Sequence, residues 1–248
     1  MSKPKIRRLF FDLEVSPNVA LCWSAGWEQT IPYQNIVKER AIICACYKWE
    51  GERRVYCLRW DNGDDKQLLQ EFVKILESAT EVIGHNSDKF DLKWLRTRCA
   101  FHGIPMSVLI QGVDTLKISR GRFKFNSNRL DYIGQFLGVG GKEKIEDYGG
   151  LWRKVTLENN KAALAKMISY CKRDVVLVED VFHKLQAYAP VKTHAAVMAG
   201  GSKADCPGCA SSKVQRRGYR ITAAGVRKQI MSCQSCGRNF TAAITKGG

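Results

Sequence analysis

Two acids sit two residues apart in the stretch LFFDLEVSP (9–17). Leu9, Phe10 and Phe11 read as part of a buried strand, and a strand places residues i and i+2 on one face, about 7 Å apart. Asp12 and Glu14 therefore point together, while Phe11 and Leu13 point the other way. Adjacent anions repel, and burying them without partners is costly, so the pattern predicts a cation between them. Two further segments supply acids of the same kind. GHNSDKFD (84–91) ends a predicted strand, opens a helix and carries Asp91. YCKRD (170–174) sets Tyr170 and Asp174 four residues apart, on one face of a helix. Carboxylate oxygens suit hard divalent cations. Two such ions roughly 4 Å apart can activate a water and stabilise a leaving oxygen, the two needs of phosphodiester hydrolysis.

A second constellation lies near the end of the sequence. CPGC (206–209) and CQSC (233–236) are paired C-x-x-C knuckles. Four thiolates from Cys206, Cys209, Cys233 and Cys236 can close a tetrahedral Zn²⁺ site with no open position, which makes the metal structural. A redox dithiol pair is the alternative. The intervening residues leave room for a β-hairpin built from KVQRRGYRIT and RKQIMSC. So small a module has little core of its own, and metal binding is expected to supply much of its folding free energy.

The formal net charge is +16 over 248 residues, and half of it falls from Lys203 onward, where nine Lys/Arg meet Asp205 alone. Such a balance favours polyanionic partners, above all a nucleic-acid backbone. The 45% apolar content argues against disorder and no run reaches membrane-span length. With no signal-like segment, a cytoplasmic, reducing location is expected, and with it thiols or metal ligands rather than a disulfide framework. The other six of the ten cysteines (Cys22, Cys44, Cys46, Cys57, Cys99 and Cys171) lie scattered in apolar surroundings and are expected to be small buried hydrophobes.

The elements that must position these groups read as mixed α and β. Strands are predicted at IRRLFFDLEV, 41–50, 53–60 and EVIGHN. Helices are predicted from Asp64 or Asp65, with Leu68, Leu69, Phe72, Val73 and Leu76 at core spacing, then over 88–102 up to Gly103, over 130–138, and once or twice within 156–188. A mixed sheet between helices follows. THAAVMAGGSKAD (193–205) reads as a linker. GVGGK (138–142) lacks the spacing and Ser/Thr of a phosphate-binding loop and reads as a turn. SRGRFKFNSNR (119–129) interleaves Arg120, Arg122, Lys124 and Arg129 with Phe123 and Phe125. That suits either a single nucleic-acid strand, with bases stacked on rings, or a hairpin that buries the rings.

D-x-E on the first strand, N-x-x-x-F-D at the strand-to-helix junction and Y-x-x-x-D on a late helix, in this order, resemble the three motifs of the DEDD 3′–5′ exonucleases. Tyr170 resembles the DEDDy (DnaQ-like) branch, which includes the proofreading domains of DNA polymerases. HNSDKFDLKWL and RLDYIGQFLG are similar to stand-alone exonucleases related to family B polymerase proofreading domains. The resemblance covers roughly residues 6–188. It implies an α/β, ribonuclease-H-like exonuclease fold in a domain over 1–192, then the 193–205 linker. The knuckles over 206–248 resemble the zinc ribbons of transposases and other nucleic-acid proteins.

By the same resemblance two Mg²⁺ or Mn²⁺ ions are held by Asp12, Glu14, Asp91 and Asp174. Asp12 bridges both, Glu14 and Asp174 serve the water-activating ion, and Asp91 serves the second. Tyr170 orients the water, Asn86 contacts the terminal nucleotide and Phe90 packs beneath. His85 is structural, because the branch with a catalytic histidine carries it where this sequence has Tyr170. Arg122, Lys124, Arg216 and Arg217 are the further candidates for substrate binding. The expected activity releases nucleoside 5′-monophosphates from 3′ ends of mainly single-stranded DNA, in trans to any replication or repair protein it serves. The rivals are the same chemistry on RNA and a non-catalytic nucleic-acid-binding accessory protein. The ribbon itself could bind nucleic acid or dock a protein.

Overall fold

Strand β1 (Arg8–Val15) is the middle strand of a five-stranded sheet in the order β5-β4-β1-β6-β7. On one side it pairs antiparallel with β4 (Ile42–Trp49), which pairs antiparallel with β5 (Tyr56–Arg59). On the other it runs parallel to β6 (Glu81–Gly84), itself parallel to β7 (Gly112–Asp114). The sheet is therefore mixed. A short ribbon of β2 (Val19–Ala20) and β3 (Ile36–Lys38) precedes β4. The computed structural model describes residues 6–24, 26, 29–141, 147–191 and 193–243.

The pleat sorts β1 between two cores. Leu9, Phe11 and Leu13 pack with Ile42, Ala45 and the apolar faces of α1 (Lys66–Glu77) and α2 (Asp91–His102). Leu68, Leu69, Phe72, Val73 and Leu76 are the buried residues of α1, as their spacing predicts. Phe10 faces the opposite layer, with Cys44, Cys46 and Ile83 of the sheet. That layer includes residues of α3 (Thr115–Arg122) and α4 (Leu130–Phe136) and is dominated by the 25-residue α6 (Lys161–Leu185). A third cluster joins Ile43 and Trp60 to α5 (Tyr148–Leu157) and the start of α6. Asn160 caps α6, its Oδ1 accepting from the Ala163 N–H at 2.9 Å. The segment 156–188 is thus the end of α5, one long helix and a 3₁₀ turn.

Several expectations change. Cys22 is exposed, because it lies in the connection between the two ribbon strands, and Cys57 is only partly buried; Cys44, Cys46, Cys99 and Cys171 are buried. No hairpin forms at 119–129: α3 runs to Arg122, and the Phe123 and Phe125 rings then stack with centroids 5.1 Å apart. Gly138 and Gly140 turn the chain with positive φ, while Lys142 lies outside the described residues. The 193–205 segment holds the short helix α7 (Ala195–Met198), with Ala195 and Ala196 fully buried. Small residues here allow close packing. Beyond it, β8 (Val214–Ile221), β9 (Arg227–Cys233) and β10 (Asn239–Ala243) form a separate sheet in the order β10-β9-β8.

That sheet is docked on the body. Arg238 Nη2 donates to Gln186 O at 2.5 Å, the Ala195 N–H donates to Pro207 O at 3.0 Å, and Arg8 donates to Gly208 O. Arg8 is itself held by Glu81 at 2.8 Å and Glu50 at 3.1 Å. No helix among the described residues is long and apolar enough to cross a membrane.

Asp65 stands at the N-cap position of α1 yet caps nothing with its side chain; Asp64 Oδ1 accepts the Lys66 N–H instead, at 2.9 Å. The fully buried Asp65 carboxylate accepts from the Ile42 N–H (2.8 Å), Arg98 Nε and Nη2 (both 2.8 Å) and His102 Nε2 (2.7 Å). Burial alone would raise its pKa, but Arg98, the Ile42 amide and His102 prevail and hold it below the usual range. The carboxylate thereby ties β4 to both helices of that layer. Asp65→Ala strands a buried guanidinium and should cost about 3–5 kcal/mol in denaturant unfolding; an unchanged midpoint would show that the network contributes nothing.

Candidate active site

Four acids converge where β1, α2 and α6 meet. Asp12 and Glu14 extend the Phe10 face of β1, toward α6. Asp12, Glu14 and Cys171 bring one side-chain ligand atom each within 4.8 Å of one another. The Cys171 thiol on α6 donates to Asp12 O at 3.4 Å and to Oδ2 at 3.6 Å. One turn of α6 carries Tyr170, half-buried, and Asp174, only 2% exposed. Asp91 enters from the first position of α2, and its Oδ1 accepts the Leu13 N–H at 3.2 Å. Glu14 and Asp91 are also buried, while Asp12 keeps part of its surface open.

The loop between β6 and α2 is shaped by requirements on individual residues. A Cβ at Gly84 would come within 2.6 Å of Ser87 Cβ, so the turn admits no larger residue there. Asn86 has φ +67°, the left-handed region that asparagine tolerates better than most residues. Asp114, at the N-cap of α3, holds this loop in place. Its Oδ1 accepts from the Asn86 and Leu116 N–H groups, both at 2.9 Å, and its Oδ2 from the Asp88 N–H at 3.3 Å. One buried carboxylate thus caps a helix and fixes the junction that delivers Asp91. The sequence reading missed it, although an Asp followed by Thr at the start of a helical stretch is a recognisable N-cap signal.

His85 Nδ1 lies 2.9 Å from Thr115 Oγ1, and its Nε2 donates to Asn128 O at 3.0 Å. Those contacts join β6 to α3 and to the chain leading into α4, a structural arrangement. Phe90 is half-buried at the N-cap position of α2.

The electrostatics follow from crowding. Asp12 is pushed well above the usual carboxyl range by burial first, then by Cys171, Asp91, Glu14 and Asp174. Burial raises Asp91 to about 7, against backbone hydrogen bonds from its own N–H and that of Leu13; Cys171 and Asp114 add to the rise. Four hard oxygen donors that repel one another around Asp12 are a donor set suited to divalent cations of the Mg²⁺ or Mn²⁺ kind.

The other sequence candidates lie elsewhere. Arg122 ends α3, and Lys124, exposed, lies between Phe123 and Phe125 in the sequence. Those rings continue into a ladder, Phe123 to Tyr188 at 5.0 Å and Phe125 to Phe136 at 5.4 Å, with Phe136 and Tyr188 more than half exposed. Arg216 and Arg217 are exposed on β8, in the sheet of the knuckles rather than the sheet of the acids. The knuckle sulfurs meet in pairs, Cys206 to Cys236 at 3.7 Å and Cys209 to Cys233 at 3.5 Å. The Gly208 and Ser235 N–H groups each donate to a knuckle sulfur at 3.4 Å. A tetrahedron with 2.3 Å metal–sulfur bonds has edges of about 3.8 Å, so the four residues fit Zn²⁺.

Comparison with known proteins adds to this geometry. A model of the RNase_H superfamily matches residues 36–186, a span that includes Asp91, Tyr170 and Asp174 and begins after Asp12 and Glu14. Among solved structures, the family B DNA polymerase from the hyperthermophilic archaeon Pyrobaculum calidifontis is similar in fold, with a TM-score of 0.58 at 17% identity. The alignment covers 89% of this chain and 31% of the polymerase chain, so this chain spans less than a third of that protein's length. No curated protein matches the sequence. With a mixed central sheet flanked by helices and a family match over more than half its length, the chain belongs to the RNase_H superfamily.

Proposed function

We propose that the protein is a metal-dependent 3′–5′ exonuclease that releases nucleoside 5′-monophosphates from single-stranded or frayed DNA ends. The observation that carries this reading is the convergence of Asp12, Glu14, Asp91 and Asp174 on one point of the sheet, with Tyr170 one helical turn from Asp174. Asp12 would bridge two Mg²⁺ or Mn²⁺ ions, Glu14 and Asp174 would complete the site for one and Asp91 for the other. When bound, such ions lower the pKa of the attacking water and stabilise the leaving 3′ oxygen.

The chain's own groups do the positioning. Tyr170 holds the attacking water through its hydroxyl, from a helix whose register is fixed by Cys171 against Asp12. The Asn86 backbone is pinned by Asp114, which keeps that residue at the junction where the terminal nucleotide is to be met. Arg122 and Lys124 meet phosphates beside the Phe123–Phe125 ladder, whose rings offer stacking surfaces for unpaired bases. In the second sheet, Cys206, Cys209, Cys233 and Cys236 would hold one structural Zn²⁺. Arg216 and Arg217 on β8 then track the backbone, which keeps the substrate near the acids.

The direct test is degradation of end-labelled oligonucleotides, DNA beside RNA and single-stranded beside duplex, with Mg²⁺ or Mn²⁺. The expected product is a mononucleotide ladder receding from the 3′ end of single-stranded DNA; preference for RNA would make the protein an exoribonuclease instead. Asp12→Asn should cut the rate at least about a thousandfold, near 4 kcal/mol of barrier, while leaving DNA binding intact. An active Asp12→Asn enzyme would contradict the bridging role.

Replacing Arg216 and Arg217 by alanine should weaken binding and lower the salt slope of log affinity by about 0.7 per lost phosphate contact on a single strand. Unchanged affinity would make the ribbon a protein-docking module.

The raised carboxyl pKa values give a pH dependence of definite sign. A carboxyl held near 7 in the folded state and near 4 unfolded binds more protons when folded between those values, so it stabilises the fold at low pH. That contribution is lost as pH rises through about 7. Metal-stripped protein should therefore lose thermal stability between about pH 4 and 7, and Asp91→Asn or saturating Mn²⁺ should flatten the decline. A slope untouched by either would show that Asp91 titrates normally.

A further inference from the structure

Outside the acids and the knuckles, one more group of soft ligands is assembled by the fold. Cys44 and Cys46 lie two apart on β4, and so on one face of the sheet, and Cys57 sits directly opposite Cys46 on β5. The three sulfurs lie within 4.8 Å of one another. Cys171 of α6 is buried in the same core cluster as Cys44 and Cys46, but its sulfur groups with Asp12 and Glu14 rather than with these three. Two adjacent strands thus bring three sulfurs to one point on the face of the sheet that α6 covers. The expectation that these cysteines are scattered small hydrophobes does not account for that convergence.

We propose that Cys44, Cys46 and Cys57 form a second thiolate metal site that binds one zinc ion on the α6 side of the sheet. Spacing favours a single ion over a cluster: a mononuclear tetrahedral site needs sulfurs about 3.8 Å apart, in keeping with all three within 4.8 Å. Soft thiolates select zinc over the hard cations suited to the neighbouring carboxylates. Loading is an exchange of protons for metal, three thiols releasing three protons as three metal–sulfur bonds form, with a water in the fourth position. The complex then carries one negative charge, and Lys172 and Arg59 near Cys57 offset it.

An entry path exists. Cys57, the one partly exposed member, opens on a surface pocket of about 580 Å³ that is also lined by Arg59, Trp60 and Glu71. The site shares its core layer with Cys171, whose thiol donates to Asp12 Oδ2 at 3.6 Å. Zinc here is thus a clamp between β4 and β5 in the core layer that α6 covers.

Zinc per chain tests this without reference to any nuclease activity. Full-length protein equilibrated with Zn²⁺ in a chelator buffer that leaves weak carboxylate sites empty should hold two zinc ions by mass spectrometry of the metal. Cys44→Ser/Cys57→Ser should hold one, and Cys206→Ser/Cys209→Ser should also hold one. One zinc in the wild type, or two that survive Cys44→Ser/Cys57→Ser, would overturn the proposal. Co²⁺ substitution gives a readout that does not depend on the core variant folding. Thiolate-to-cobalt absorption in the near ultraviolet should persist in Cys206→Ser/Cys209→Ser, and its absence would likewise overturn the assignment.

Discussion

The repulsion among four carboxyl groups around Asp12 is the constraint on which the rest of the site depends. Asp12 stands on the middle strand of the sheet, where burial and the charges of Glu14, Asp91 and Asp174 all penalise its ionised form. A fold that only needed stability would place apolar residues there, as it does at Phe10 on the same face. The cost is tolerated because each acid is carried by an element anchored elsewhere. Leu9, Phe11 and Leu13 fix β1 from its far side, α2 is locked by Leu92 and Leu95, and α6 by a row of apolar residues from Val175 to Leu185. The acids cannot move apart without dismantling one of two cores.

Other buried charges serve that arrangement. Asp65 gathers Ile42, Arg98 and His102 and so fixes α1 and α2 to β4. Asp114 sets the loop that leads to Asp91. Arg8 joins Glu81 and Glu50 of the body to Gly208 of the first knuckle, so the strand bearing Asp12 also seats the cysteine module. Positioning here depends on side chains that satisfy backbone N–H groups across elements, each replacing water that burial has excluded.

Much of this was legible in the sequence because it rests on short-range periodicity. The alternation of LFFDLEV dictates which residues share a face, and helical spacing picks out the buried stripe of α1. The motifs around Asp91 and Tyr170 carry the site because a strand end and a helical turn are local objects. Contacts that join distant segments were not legible. Asp65 read as a helix cap, and only the tertiary placement of Arg98 turns its carboxylate inward. Asp114 read as nothing, since its value lies in the Asn86 and Asp88 amides it meets. The linker composition of 193–205 reflected close packing of Ala195 and Ala196, and the gathering of Cys44, Cys46 and Cys57 depends on a strand register that no spacing rule conveys.

The central claim is that the mutual repulsion around Asp12 exists to be relieved by divalent cations. Its most direct test is calorimetric titration of metal-stripped protein with Mn²⁺ near pH 7, in two buffers of different ionisation heat, with bound ions counted by electron paramagnetic resonance. The account predicts two Mn²⁺ per chain, taken up with release of protons from the raised carboxyls and lost together in Asp12→Asn. Uptake without proton release, or uptake that survives Asp12→Asn, would contradict it.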